Sequence, residues 1–150
     1  MYRKLICLLF FCVALFAQKI EINAKMFEGS KDNKVGIFSG DVVVKQGKDF
    51  LHSATLKINF NNENKITNYT ASNVSSFSIT MNGKDFKGKA NLITYDVFKN
   101  TYELSGNVKI LEDNKELLAD HIILDQKTGV YKIKSTKEKS PVKVIFELEK

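Results

Sequence analysis

From residue 18 to its end the chain alternates apolar and polar residues with a period of two. Ile20 and Ile22, Val42 and Val44, Leu56 and Ile58, Val108 and Ile110, and Val142, Val144, Phe146 and Leu148 all keep that period. Successive side chains of a strand point to opposite faces, so this pattern predicts strands with one buried and one wet face. No window long enough for a helix carries the 3.6-residue period of an amphipathic one. The single proline is Pro141, and β-branched and aromatic residues concentrate in the alternating runs. Between the runs, GSKDNK (29–34), NNENK (61–65), NGKDFKGK (82–89) and EDNKE (112–116) are rich in turn formers and predict hairpin connections. The expectation is an all-β, antiparallel domain with short loops.

Internal repetition sharpens this. FSGDVVV (38–44) returns as LSGNVKI (104–110), 66 positions later. A small residue followed by apolar residues three and five positions on occurs at Ser53, Leu56 and Ile58, at Ala90, Ile93 and Tyr95, and at Ala119, Ile122 and Leu124, with Ala24 and Phe27 as a partial copy. The uneven spacing describes a decayed duplication of strand-turn-strand units. Glycine inside a strand pattern, at Gly40 and Gly106, marks either a sharp bend or a hairpin turn.

The N-terminus has a different character. Arg3 and Lys4 precede an uninterrupted apolar run from Leu5 to Ala17, and polarity returns at Gln18. This is the layout of a cleavable secretory signal, and the run is shorter than the roughly 20 residues of a membrane-spanning helix. Residues 1–17 are expected to leave on export, with an uncleaved membrane anchor as the alternative. Both cysteines, Cys7 and Cys12, lie in this leader, so the domain at 18–150 has neither a disulfide nor a thiol nucleophile. Its 21 lysines against 17 acids suit an anionic partner without identifying one.

Other chemistry is weakly signalled. GKDFKGK (83–89) matches the opening of a phosphate loop, but Ala90 stands where a magnesium-binding Ser or Thr belongs, and strand-like NLITYD follows where a helix must begin. His52 and His121 have no partners at metal-ligand or triad spacing. No catalytic residue, metal or cofactor is expected, and the chain is not expected to be an enzyme. NYT (68–70) and NVS (73–75) match the glycosylation pattern in a region where Asn and Ser are simply common. Nucleic-acid binding is disfavoured because no arginine follows Arg3 and an exported chain leaves the cytosol.

FSGDVVVKQG (38–47), ANLITYDVFKNTYELSGNVKI (90–110) and LADHIILDQKTG (118–129), in that order behind a leader, resemble the OstA-like domain of LptA-type periplasmic lipopolysaccharide transport proteins. The resemblance spans about Ile20 to Phe146. An Ala-Asp pair opens a strand only at Ala119 and Asp120, which leaves individual registers open. The resemblance implies a folded-sheet jelly roll open at both ends, with a groove that binds the acyl chains of lipid A. It also implies head-to-tail joining to further copies, or to like-fold domains of inner- and outer-membrane transport proteins. On that reading the inward apolar set is Ile20, Ile22, Phe27, Phe38, Val42, Val44, Leu56, Ile58, Phe77, Ile79, Ile93, Tyr95, Val97, Leu104, Val108, Ile110, Ile122 and Leu124, part of it serving only as core. Lys84, Lys87 and Lys89 are expected to form a basic rim for the lipid's phosphates. The contrasting expectation is a structural β module with a closed core that binds only protein.

Overall fold

The computed structural model describes residues 19–135 and 141–148. The expected leader, with Cys7 and Cys12, lies outside the described residues. Ten strands follow in order: β1 (Ile20–Asn23), β2 (Met26–Ser30), β3 (Val35–Gln46), β4 (Asp49–Phe60), β5 (Ile66–Met81), β6 (Lys84–Asp96), β7 (Thr101–Glu112), β8 (Lys115–Asp125), β9 (Tyr131–Lys134) and β10 (Lys143–Phe146). They form one sheet, every pair antiparallel, in which β3 to β8 lie side by side in chain order. Of the expected turn segments, 61–65 keeps its extent. NGKDFKGK does not: only Asn82 and Gly83 turn, and Lys84 to Lys89 already belong to β6.

A seam of irregular pairing crosses the sheet. The register shifts between Ser39 and Val42 in β3, His52 and Ser53 in β4, Val74 and Phe77 in β5, Lys89 and Leu92 in β6, and Ser105 and Val108 in β7. The two SG(D/N) repeats lie on it. Gly40 and Asp41 have φ of 81° and 47°, Gly106 and Asn107 of 79° and 47°. Two consecutive left-handed residues suit glycine followed by a short polar side chain that tolerates that region. A Cβ on Gly106 would also come within 2.6 Å of the Asn91 side chain. These glycines therefore bend strands; they do not close hairpins.

The seam divides the sheet into two halves that fold onto each other. The edge strands divide there as well: β1 pairs with 43–46 of β3 and β2 with 35–39, while β9 pairs with 121–124 of β8 and β10 with 115–118. Each half thus has eight strands. One inner row runs Phe27, Phe38, Leu56, Ala71, Ile93, Leu104, Ile122, Ile133 across the first half. Its counterpart in the second runs Ile22, Val44, Leu51, Phe77, Gly88, Ile110, Leu117, Val144. These faces make the core, in which Leu104, Ile110 and Ile122 are fully buried. Small Ser53 and Ala90 are buried where the halves converge, and Ser53 Oγ donates to the Thr55 carbonyl at 3.0 Å. Burial of the core side chains at ~25 cal/mol per Å² is the main force holding the halves together.

Candidate functional site

The groove between the halves opens at the β1–β2 edge. Ile20, Ile22, Val44, Leu51 and Ile79 line it from one side, Leu56, Ile58, Ala71 and Ile93 from the other, and Gln46, Asp49 and Phe50 lie at its rim. Its free volume is about 90 Å³, well below the ~300–1,000 Å³ of ordinary ligand sites. The side chains of the two halves nearly meet.

One row further from the seam than the aliphatic row, Gly29, Gly36, Ile58, Tyr69, Tyr95, Tyr102, Leu124 and Tyr131 are cross-strand neighbours. The three central tyrosines stack, with ring centroids 5.0 Å apart for Tyr69 and Tyr95 and 4.4 Å for Tyr95 and Tyr102. Tyr95 donates to Gln126 Oε1 at 2.7 Å and lies 3.2 Å from Asn100 Oδ1. Burial, reinforced by neighbouring Tyr95, pushes the Tyr69 hydroxyl up to about 12. Tyr102 is also raised, first by burial, then by Tyr69, Tyr95 and Asp49. Both stay neutral donors across the physiological range.

The opposite end is closed by polar groups. Glu112 is buried, and its carboxylate lies 3.3 Å from Lys115 Nζ and 3.6 Å from Lys84 Nζ. Lys115, on the second half, donates to the Tyr131 hydroxyl on the first at 2.7 Å. It also lies 5.3 Å from the Tyr131 ring centroid and 5.9 Å from that of Phe146. The hydrogen bond to Tyr131, and then the contacts with Glu112, hold the Lys115 ammonium above its ordinary range against the opposing effect of desolvation. Phe86 meets Tyr131 edge-on at 6.5 Å. This clasp joins the two halves across the groove.

The residues expected to face inward divide into groups. Val42, Leu56, Ile58, Phe77, Ile79, Ile93, Tyr95, Leu104, Val108, Ile110, Ile122 and Leu124 are buried, and Ile22, Phe38 and Val44 pack half-buried against them. Ile20 and Phe27 are on the open edge, 46% and 58% exposed, with Phe27 4.6 Å from Phe38. Val97 is a correction: it follows β6 in a turn, its N–H donates to the Thr67 carbonyl, and it lies outside the core. The expected lysine rim is a second correction. Strand alternation puts Lys87 and Lys89 on the outer face, opposite Phe86 and Ala90, and only Lys84 reaches the groove end, where Glu112 engages it. His52 is exposed, and His121 pairs with Glu103 at 2.6 Å on the outer surface. Sequence reasoning did not single out Tyr69, Tyr102, Glu112, Lys115 or Tyr131. The alternations Tyr69–Ala71 and Tyr102–Leu104 were a usable signal for the first two. Among the described residues no three His, Cys, Asp or Glu side chains converge as metal ligands.

The family model described as LptA/(LptD N-terminal domain) LPS transport protein matches residues 21–130. The chain belongs to this family of lipopolysaccharide transport proteins. In fold it is similar to the crystal structure of LptH, the LptA-homologous periplasmic component of the lipopolysaccharide transport device of Pseudomonas aeruginosa. The TM-score is 0.76 at 18% identity, covering 87% of this chain and 96% of that one. A comparison with curated protein sequences gives no match. The expected antiparallel jelly roll is thus the fold this family member has.

Proposed function

We propose that this LptA-family chain is a non-enzymatic periplasmic carrier that holds the acyl chains of lipid A between its two halves and passes them on through joined copies of the fold. The observation that carries the reading is the continuous aliphatic lining at the open end, from Ile22 and Val44 to Leu56 and Ile93. Each chain methylene moved there from water contributes ~0.8 kcal/mol. Periplasmic residence is supported by the leader-like N-terminus and by the similarity to a periplasmic component.

End-to-end joining is supported by the strand count. In an antiparallel half of eight strands the two edge strands run in opposite directions. A second copy placed at either edge in the same orientation therefore meets it antiparallel, β9 against β2 and β10 against β1. Unpaired edge N–H and C=O groups on both sides then find partners. The edges differ, so the contact propagates and does not close as a dimer. Like-fold domains of membrane-bound transport partners would dock by the same geometry.

Photo-crosslinkers at Ile22 and Phe77, which face inward, should capture lipopolysaccharide, and crosslinkers at Lys57 and Lys109, which face outward, should not. Equal labelling of both sets sinks the carrier reading. Titration with lipid A separates it from a purely structural β module, which would not bind.

A further inference from the structure

The interior of the groove is layered. Nearest the seam both halves present aliphatic side chains. One row outward come the tyrosines, and beyond them Phe60, Ile66 and the turns. Within the stack the three hydroxyls differ. Tyr95 is held by Gln126 and Asn100, and both acceptors belong to turns at the far end of the first half. Tyr69 and Tyr102 stack on either side of Tyr95 and line the groove. Neither hydroxyl has a hydrogen-bond partner among the described residues. Asp49, whose charge contributes to raising Tyr102, accepts the Thr80 N–H at 3.0 Å through Oδ1.

A hydroxyl on the groove wall without a protein partner takes its hydrogen bonds from water. A hydrocarbon chain laid across them would strip that water and return nothing, which disfavours bare chain at this level. An acylated lipid offers a better match. Between its hydrocarbon and its head group is the ester or amide carbonyl that joins them, and a carbonyl oxygen accepts but cannot donate. A neutral tyrosine hydroxyl is the complementary donor, and burial keeps both in that form.

We propose that Tyr69 and Tyr102 donate hydrogen bonds to the ester or amide carbonyls that link acyl chains to their head group, and so fix how deep an acylated lipid sits in the groove. Tails then fill the aliphatic layer toward the seam while the head group stays at the lips. Tyr95, tied to Gln126 and Asn100, is the positioning residue that holds the two donors at one level. The inference rests on the carrier reading and adds its chemical selectivity: a carbonyl-linked chain is preferred to bare hydrocarbon.

The test uses the full chain and lipid A carrying carbon-13 in its acyl carbonyls, with affinity from titration and the labelled C=O stretch from infrared difference spectra. In the unmodified protein, part of the labelled band should move to lower frequency on binding. The variant Tyr69→Phe/Tyr102→Phe keeps the rings and the stack, and should bind about tenfold more weakly, ~1.4 kcal/mol, with the band unshifted. An unshifted band in the unmodified protein overturns the proposal without recourse to any variant. So does equal affinity and an equal band in the two proteins. If the unmodified protein binds no lipid A, the carrier reading itself fails, and this inference falls with it.

Discussion

The two ends of the groove are made by the same strands and finished with opposite chemistry. At the β1–β2 edge the inner rows end in apolar Phe27 and Ile22, and Ile20 is half open to solvent. At the β9–β10 edge they end in Ile133 and Val144, and one row further out Glu112, Lys115, Tyr131 and Phe146 are tied across the gap. Hydrophobic burial is non-directional and lets the first end yield by small shifts. An ion pair on a buried carboxylate, with a defined hydrogen bond beside it, opens only by losing its partners. The groove therefore has a soft end and a latched one, and a ligand meets different barriers at each.

Removing one side of the latch should have the largest effect. Lys115→Met leaves Glu112 buried with only the more exposed Lys84 beside it, and should lower stability by about 3 kcal/mol in urea unfolding. Glu112→Leu/Lys115→Met together should return to within about 1 kcal/mol of the parent, because no buried charge is stranded. If the single variant unfolds like the parent, the two ends are energetically alike and the contrast fails. Truncation after Pro141 removes β10 and its four cross-strand pairs, at about 1–2 kcal/mol. It should leave a folded monomer and abolish concentration-dependent oligomers in sedimentation. A monomer at every concentration before truncation would leave the edges to other partners. The smallest effect belongs to the soft end: Ile22→Ala, on a four-residue edge strand, should cost under about 1 kcal/mol while accelerating exchange of β1 amides.

Much of this architecture was legible because it is written in local chemistry. The SG(D/N) repeats encode left-handed backbone, and only a bend in a strand uses it there. The small-x-x-apolar-x-apolar pattern predicts strand-turn-strand units, but Ser53, Leu56 and Ile58 lie within the single strand β4, just past a bulge, and all three are buried. The latch was not legible. EDNKE is polar and turn-rich, so Glu112 and Lys115 look like hairpin surface. Lys115 meets Tyr131 and Phe146 only because β9 and β10 bring those rings back beside β8. The GKDFKGK segment misled for a related reason. Its lysines suggest a loop, whereas Phe86 facing inward and Gly88 fitting against the Lys109 carbonyl make it a strand.

The seam has a mechanical consequence. A line of bulges and left-handed residues is the place where the ladder bonds are fewest, so a rotation of one half against the other would turn about it. The arm from Thr55 to Phe60 in β4 is about 17 Å long at ~3.4 Å per residue, so turning the halves by about 10° parts their tips by about 3 Å. Along eight strands spaced ~4.8 Å apart, a wedge that tapers to nothing at the latched end adds roughly 450 Å³, within the ~300–1,000 Å³ of ordinary ligand sites. Capacity in this fold would then be set by an angle, and 90 Å³ is the volume at the angle of this structure.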